Sequence, residues 1–202
     1  DFHDERPFLV LEYVRGNHLG QYRETADLEP CEMALLVAKV ARAVGAAHAR
    51  GVLHLDLKPE NILITSEGEP VLIDFELAFL SCGGGRQLAP DRWIAGTPQY
   101  MAPEQVRGER GALTPRTDVF GLGGVLYFLC VGRDPFAVRE EQGRLHRPQQ
   151  PDWTSLMRAP VPARLKVICR KAMADDPQSR FASAEALAAA LEAAGREWAP
   201  PP

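Results

Sequence analysis

Residues 54–61 of the chain, HLDLKPEN, place several polar side chains directly before a β-prone run. A further carboxylate, Asp74, follows the next β-prone run, at residues 71–73. The residues between these runs, 66–70 (SEGEP), have the composition of a hairpin turn, and a hairpin brings Asn61 and Asp74 to the same end. Because Mg²⁺ prefers hard oxygen ligands, this amide and this carboxylate form a predicted metal-binding pair.

Other side chains of the same segment could act on a phosphoryl group. Asp56 is a candidate base, or a group that orients a nucleophile. Lys58 supplies a compact positive charge for a phosphoryl oxygen. A metal-binding pair, a base and a cation are the components that phosphoryl transfer requires. Asp56, Lys58, Asn61 and Asp74 are therefore the predicted catalytic group.

The rest of the sequence indicates the elements that would position this group. Apolar residues at three- and four-residue spacing predict a helix over residues 30–50, closed by Gly51. The other predicted elements are a β-type run at 8–14, a turn at 15–17, a hairpin at 61–73, a Gly- and Pro-rich loop at 81–98, and helices at 116–131, 161–174 and 183–196, the last capped by Ser183. The sequence thus predicts a mainly α fold with a small β-hairpin.

Composition limits the classes of function that are open to the chain. Its 202 residues, 46% of them hydrophobic, suit one domain with a substantial core or at most two small domains. A net charge of −4 argues against a nucleic-acid partner, and no run reaches the roughly 18 apolar residues of a membrane span. Four widely spaced cysteines suit neither a zinc site nor a disulfide scaffold. Reduced thiols favour a cytoplasmic protein, or the cytoplasmic part of a larger or membrane-anchored one.

The motifs, taken in order, resemble those of the eukaryotic-type (Hanks-type) Ser/Thr protein kinases. HLDLKPEN is similar to the catalytic loop, and residues 74–76 (DFE) stand where that family has its Mg²⁺-binding Asp-Phe-Gly. Residues 96–104 (GTPQYMAPE) are similar to the substrate-docking segment, and residues 118–123 (DVFGLG) to the buried helix that anchors the catalytic loop. Residues 176–181 (DPQSRF) are similar to the family's late arginine motif. These motifs cover most of the chain.

The resemblance implies a fold, a set of boundaries and the molecules that would be bound. It implies the α+β kinase fold with most of the smaller N-lobe missing. Residues 1–14 would be the last N-lobe strand and the hinge, 15–198 the C-lobe, and 199–202 the start of a Pro-rich linker. The implied cofactors are ATP and Mg²⁺ or Mn²⁺, and the implied partner is a protein substrate.

The resemblance also assigns residues to the nucleotide. Leu11 stands at the gatekeeper position beside the adenine pocket. Glu12 and Val14 would bind adenine through backbone groups, and Leu63 would lie under the ring. His18 lies where the family often contacts ribose, although it is equally plausible as a solvent-facing loop residue.

Further residues would support the site. His54 is expected to pack beneath the catalytic loop and not to act as a base. Asp118 is expected to be buried and to accept backbone N–H groups. Glu104 and Arg180 are expected to form a buried ion pair instead of two surface charges. Thr97 is either a hydrogen-bond partner of the catalytic aspartate and lysine, at the substrate-docking position, or an ordinary turn residue.

The chain departs from the family pattern in places that affect activity. No Gly-rich loop, strand lysine or partner glutamate precedes residue 8, so the isolated chain is expected to bind nucleotide weakly and to have doubtful activity. Leu55 replaces the arginine that gathers an activation-loop phosphate in most members, and Ser81 is the sole hydroxyl-bearing residue between Asp74 and Thr97. Little dependence on loop phosphorylation is therefore expected. Glu76 replaces a glycine. Its carboxylate could either support an added cation site or disturb the geometry of the metal site.

Two functions follow from these observations. The first is a Ser/Thr protein kinase whose parent protein transfers the ATP γ-phosphoryl group to protein hydroxyls. The second is a non-catalytic, pseudokinase-like binding module, which the missing lobe and Glu76 favour. The complete catalytic group argues for the enzyme, and Lys58 with residues 96–98 favours Ser/Thr over Tyr specificity. The abundance of Ala, Arg, Gly and Pro resembles a high-GC bacterial coding bias, and residues 176–191 are similar to the end of bacterial Ser/Thr kinase domains.

Overall fold

The computed structural model of the protein describes residues 2–3, 6–7, 12–75, 79–80, 96–141 and 144–198. This part of the chain is mostly helical. Its helices are α1 (Leu19–Thr25), α2 (Pro30–His48), α3 (Pro103–Val106), α4 (Pro115–Val131), α5 (Trp153–Arg158), α6 (Ala163–Ala172) and α7 (Ala184–Trp198). No helix in these ranges is long and apolar enough to cross a membrane.

The strands are short and antiparallel. They are β1 (Phe2–His3), β2 (Arg6–Pro7), β3 (Gly16–His18), β4 (Val52–Leu53), β5 (Ile62–Thr65), β6 (Pro70–Leu72), β7 (Phe79–Leu80), β8 (Arg139–Glu141) and β9 (Arg144–His146). The largest sheet among the described residues has the order β3-β5-β6, and the other strands pair as β1-β2, β4-β7 and β8-β9. The predicted hairpin is confirmed as β5-β6.

The third strand of the main sheet corrects the sequence prediction for residues 15–17. Gly16 does not mark a turn there, because it lies in β3 and pairs with Thr65 of β5. A Cβ at Gly16 would lie 2.4 Å from the carbonyl oxygen of Ile64, so the glycine permits a close approach of backbone to backbone. The β-type run predicted at 8–14 is wrong over residues 12–14, which form no strand.

Some predictions fall outside the described residues. These are Leu11 at the gatekeeper position, Glu76 after the Asp-Phe pair and Ser81 as a phosphate acceptor. Most of the loop at 81–98 and the linker at 199–202 also lie there.

Helix α4 forms the centre of the core. Nearly every residue from Thr117 to Cys130 is buried, and the helix ends at Gly132 in the left-handed conformation, with φ 81°. A Cβ at Gly123 would lie within 3 Å of side-chain atoms of Ala172 and Met173. This glycine therefore allows α6 to pack closely against α4.

The predicted long helices are confirmed with small shifts at their ends. Helix α2 buries one apolar stripe, and Gly51 follows it with φ 74°, as expected for a residue that ends a helix. Helix α7 begins after Ser183, whose Oγ accepts a hydrogen bond from the Ala186 N–H at 3.2 Å. Helices α1, α3 and α5 and the β8-β9 hairpin were not predicted, since they are too short to give a clear periodic pattern.

Candidate active site

The segment 54–61 begins between β4 and β5 with an unusual backbone conformation. Leu55 has φ 66°, and its side chain is only 4% exposed. The Asp118 carboxylate of α4 accepts the His54 and Leu55 N–H groups, each at 2.8 Å, and a hydrogen bond from His48 Nε2 at 2.7 Å. On the other side, Gln105 Nε2 donates to the Leu55 carbonyl oxygen at 2.8 Å.

These bonds account for the conformation of Leu55. A left-handed residue with a Cβ costs roughly 1–2 kcal/mol. A hydrogen bond to a charged acceptor contributes about 1.5–3 kcal/mol, and Asp118 accepts two from this part of the backbone. The balance of these contributions favours the left-handed conformation of Leu55.

His54 lies beneath the segment and is 1% exposed. The Asp56 N–H donates to His54 Nδ1 at 3.3 Å, so the proton of a neutral ring is on Nε2, which donates to the Ile73 carbonyl oxygen at 3.1 Å. The ring also packs against Phe75, with centroids 4.7 Å apart. His54 therefore connects the segment to Ile73 through Nε2, while Nδ1 accepts a bond from within the segment, so neither nitrogen is left for a base.

The Asp56 carboxylate is held by two neighbours. Its Oδ1 accepts the Thr97 N–H at 2.7 Å, and its Oδ2 lies 2.8 Å from Lys58 Nζ. Lys58 Nζ also donates to Thr97 Oγ1 at 2.8 Å, which closes a ring of three residues. Burial raises the pKa of Asp56, but the hydrogen bonds from Lys58 and Thr97 outweigh burial and the pKa is lowered. Asp56 is consequently ionised at neutral pH.

Asn61 connects Asp56 to the hairpin. Its Nδ2 donates to the Asp56 carbonyl oxygen at 2.8 Å and to Asp56 Oδ2 at 3.2 Å, so its Oδ1 takes no part in these bonds. The Asn61 carbonyl accepts the Ile73 N–H at 3.0 Å, which brings Asn61 beside the residue preceding Asp74. Asp74 is exposed and has φ 62°.

The donor set at this end of the hairpin fits a magnesium ion. An amide oxygen of Asn61 and a carboxylate of Asp74 are hard ligands, and Mg²⁺ keeps water or phosphate in its remaining positions. Within the described residues no group of three or more His, Cys, Asp and Glu could hold a metal on its own.

The residues predicted to bind nucleotide are brought together only in part. His18 of β3 lies opposite Leu63 of β5 in the antiparallel register. Glu12 is exposed and Val14 is half-buried, and both lie on the segment that leads into β3. The structure therefore places His18 and Leu63 side by side.

Glu104 and Arg180 form a bidentate ion pair with no exposed side-chain surface. Arg180 Nη1 and Nη2 donate to the two carboxylate oxygens at 2.7 and 2.9 Å, and the Thr117 hydroxyl donates to the same carboxylate at 2.9 Å. Burial raises the pKa of Glu104, but the bonds from Arg180 outweigh it and the pKa is lowered. The remaining Arg180 N–H groups donate to the carbonyl oxygens of Ala174, Arg116 and Asp175, so every guanidinium donor is used.

Sequence reasoning missed several residues of this site. Gln105 bonds to the strained segment, His48 bonds to the Asp118 carboxylate that holds it, and Tyr100 donates a hydrogen bond to Asp134 at 2.5 Å. No spacing rule joins Tyr100 to Asp134, because they are far apart in the chain. Histidine at the end of an amphipathic helix, such as His48, is usually a solvated residue.

Replacing Asp118 by asparagine is expected to lower the free energy of unfolding by about 1.5–3 kcal/mol. The amide keeps one acceptor, but its NH₂ group then faces a backbone N–H of His54 or Leu55. Urea unfolding would measure the loss, with Asp27→Asn, an exposed residue, as the control. A loss below about 0.5 kcal/mol, the range of ordinary surface substitutions, would show that Asp118 does not hold the segment.

Comparison with known proteins gives a consistent result. The model of the family described as "Protein kinase domain" matches residues 2–191. Serine/threonine-protein kinase PkaA of Streptomyces coelicolor is 37% identical in an alignment of 192 positions that covers 91% of this chain and 33% of PkaA. Serine/threonine-protein kinase PknB of Mycolicibacterium smegmatis is 32% identical over 192 residues, 92% of this chain and 30% of PknB. Serine/threonine-protein kinase PknL of Mycobacterium tuberculosis is 33% identical over 198 residues, 96% of this chain and 49% of PknL.

The matched part therefore amounts to between 30% and 49% of the length of these bacterial relatives. The match nevertheless covers the catalytic segment, the hairpin, the buried ion pair and the central helix of this chain. The chain belongs to the protein kinase family.

Proposed function

We propose that the full-length protein transfers the γ-phosphoryl group of ATP to serine and threonine hydroxyls of protein substrates. The observation that carries this proposal is the ring formed by Asp56, Lys58 and Thr97, with Asn61 bonded to the same aspartate. A fixed, ionised carboxylate beside a lysine suits the attack of a hydroxyl on a phosphoryl group.

Each side chain has a distinct task in this reaction. Asp56 accepts a hydrogen bond from the substrate hydroxyl and then its proton, as the new O–P bond forms and ADP departs. Lys58, already placed against Asp56 by an ion pair, stabilises negative charge on the moving phosphoryl group. Asn61 and Asp74 would hold Mg²⁺, which would neutralise charge on the phosphates. Thr97 holds Asp56 in the orientation that faces the substrate.

The supporting residues keep this arrangement rigid. His54 and Asp118 fix the backbone ahead of Asp56, and the Glu104–Arg180 pair fixes the start of α3 against the end of the motif at 176–181. Leu63 and His18 would face adenine and ribose, and the backbone of residues 11–14 would form the hinge. We assign residues 15–198 to the larger kinase lobe and 199–202 to a linker.

On this assignment the nucleotide also needs the Gly-rich loop, the strand lysine and the helix glutamate of the smaller kinase lobe. Activity is therefore tested on the full-length protein. Incubation with Mg²⁺ and ATP labelled at the γ-phosphate is expected to label a protein substrate on serine and threonine, as phosphoamino-acid analysis would show. Absence of both label and nucleotide binding would favour the pseudokinase-like module.

We further propose that activation-loop phosphorylation contributes little. Leu55 is buried and cannot make a charge-assisted bond to phosphate. Ser81→Ala in the full-length protein is therefore expected to keep the phosphotransfer rate within about twofold of the wild-type rate. The reason is that position 55 has no arginine to bind a phosphate group on Ser81. Treatment of the wild-type protein with a phosphatase serves as the second measurement. A tenfold loss in either experiment would overturn this part of the proposal.

A further inference from the structure

The charge of the chain is unevenly distributed. The segment 153–174, which includes α5 and α6, contains five Lys and Arg residues and no Asp or Glu. The remaining residues contain 18 Lys and Arg against 27 Asp and Glu, so a net charge of −9 outside the segment hides a charge of +5 within it. A concentrated positive charge on an amphipathic helix indicates an anionic partner for this part of the surface.

Most of these cations are not paired with a carboxylate. Arg164 pairs with Glu197, whereas within the described residues the other four form no ion pair. Those four are Arg158, Lys166, Arg170 and Lys171.

The cations of α6 lie along its contact with α5. Lys166 Nζ donates to the carbonyl oxygen of Met157, near the end of α5, at 2.8 Å. The Arg170 guanidinium lies 5.6 Å from the ring centroid of Trp153, the first residue of α5. Helix α6 therefore runs beside α5 in the opposite direction, and these contacts position the two cations without neutralising them.

The acidic residues that flank α5 and α6 reduce this charge at the edges alone. Asp152, which precedes α5, pairs with Arg133 at 2.8 Å. Asp175 and Asp176 follow the end of α6 and come closest in sequence to Lys171, so they offset charge at that end. The part of the surface formed by Arg158, Lys166 and Arg170 therefore stays positive.

Two exposed apolar side chains lie among these cations. Met157 is 54% and Val167 64% exposed, and among the large apolar side chains of the described residues Tyr13 alone exceeds both. Arg158 follows Met157 in the chain, and Arg170 lies one helical turn after Val167. The term basic surface is used below for Met157, Arg158, Lys166, Val167 and Arg170.

We propose that the basic surface binds an anionic membrane surface, with Met157 and Val167 inserted between the lipid headgroups. The cations attract acidic headgroups, and the two apolar side chains then leave water for the boundary of the acyl chains. A nucleic-acid backbone would offer no apolar environment to Met157 and Val167. A protein interface is the less suitable partner, because such interfaces are enriched in aromatic residues and depleted in lysine. Binding of this kind needs no membrane-spanning helix and does not depend on the proposed kinase function.

Sedimentation of the full-length protein with vesicles measures its partition coefficient onto lipid. Vesicles of phosphatidylcholine with phosphatidylglycerol are expected to bind the wild-type protein, and vesicles of phosphatidylcholine alone are not. Each Lys or Arg near an anionic membrane contributes about fivefold, so R158Q/K166Q/R170Q should lower the partition coefficient about a hundredfold. M157S/V167S should lower it about tenfold, since the apolar side chains no longer gain from burial.

The matched control, K39Q/R42Q/R50Q, removes the same charge from exposed positions in and directly after α2. Its partition coefficient should stay within about threefold of the wild-type value, because distant charges are screened at ordinary salt.

A tryptophan at position 157 reports on the basic surface itself. Met157→Trp in the full-length protein is mixed with anionic vesicles whose acyl chains carry bromine, and its added emission over the wild-type protein is expected to be quenched. Ser66→Trp, in the exposed turn between β5 and β6, is the control and should not be quenched. This measurement decides the question if other segments of the full-length protein also bind lipid.

Equal quenching at positions 157 and 66 would overturn the inference. When no other segment binds lipid, equal partition coefficients for R158Q/K166Q/R170Q and K39Q/R42Q/R50Q would overturn it as well. Binding of the wild-type protein to soluble polyglutamate but not to anionic vesicles would identify an acidic protein segment as the partner and contradict the membrane proposal. Circular dichroism of each variant checks that a loss of binding is not unfolding. Met157→Trp keeps every cation, so the quenching result stands even if the triple variant unfolds.

Discussion

Replacing Asp56 by asparagine in the full-length protein is expected to lower kcat for phosphotransfer by a factor of about 10² to 10⁴, the usual contribution of a positioned base. Asparagine has the same shape and can still accept the Thr97 N–H. It cannot take the proton of a substrate hydroxyl, and it loses the ion pair with Lys58. The change therefore removes the chemistry while it preserves most of the local packing.

The measurement is the initial rate of phosphate incorporation at saturating ATP, together with the affinity for nucleotide. Nucleotide affinity should change little, because in the proposed reaction Asp56 contacts the substrate hydroxyl and not the nucleotide. Asp27→Asn, an exposed carboxylate between α1 and α2, provides the control and should retain full activity. Equal rates in Asp56→Asn and the wild-type protein would exclude Asp56 as the base.

The lowered pKa of Asp56 sets the expected pH dependence. Its carboxylate must be ionised to accept a proton, and the pKa lies below the ordinary value of about 3.9 because bonds from Lys58 and Thr97 outweigh burial. As the pH falls, loss of kcat/KM through Asp56 should therefore begin only below that value. Lys58→Met removes the ion pair and the Lys58 hydrogen bond that lower the pKa, so the residual activity of that variant should fall at a higher pH than the wild-type activity.

The long helix α2 and the β5-β6 hairpin could be predicted because their signals lie in the local sequence. Helix α2 shows apolar residues at three- and four-residue spacing, and β5 and β6 flank a turn-forming segment. Strand β3 was mistaken for a turn because Gly16 is a turn signal in isolation. Its role depends on the carbonyl of Ile64, a tertiary contact that the local sequence does not reveal.

The site residues were recognisable as a set, but the forces that hold them were not. Nothing in the spacing indicates that Leu55 is left-handed, or that Gln105 and Asp118 bond to its backbone from opposite sides. The hydrogen bond between Tyr100 and Asp134 has the same origin, since these residues meet only after α4 has been placed. Sequence pattern reports local periodicity, whereas these contacts join segments that are far apart.

Replacing Arg180 by methionine is expected to lower the free energy of unfolding by about 3–5 kcal/mol, the usual cost of removing one partner from a buried ion pair. Glu104 would keep a charge with no exposed surface and no cation. The carbonyl oxygens of Ala174, Arg116 and Asp175 would also lose the donors that the guanidinium supplies.

Urea unfolding at neutral pH would measure this loss. The double variant E104Q/R180M should recover part of it, because a neutral amide removes the uncompensated charge and can still accept the Thr117 hydroxyl. The control is Arg42→Met, which breaks the partly exposed pair with Glu192 and should cost less than about 1 kcal/mol. A loss of this small size for Arg180→Met would contradict the structural role of the pair.

The pH dependence of the free energy of unfolding tests the same ion pair. The folded-state pKa of Glu104 is lowered, because the bonds from Arg180 outweigh burial. The pair therefore stabilises the fold above the unfolded-state pKa of about 4.3. This stabilisation is lost as the pH falls through the folded-state pKa. Without Arg180, burial raises that pKa, and protonation then relieves the buried charge. The difference between Arg180→Met and the wild-type protein should therefore shrink as pH approaches 4. A difference that stays constant with pH would indicate that lost packing, and not the unpaired carboxylate, destabilises the variant.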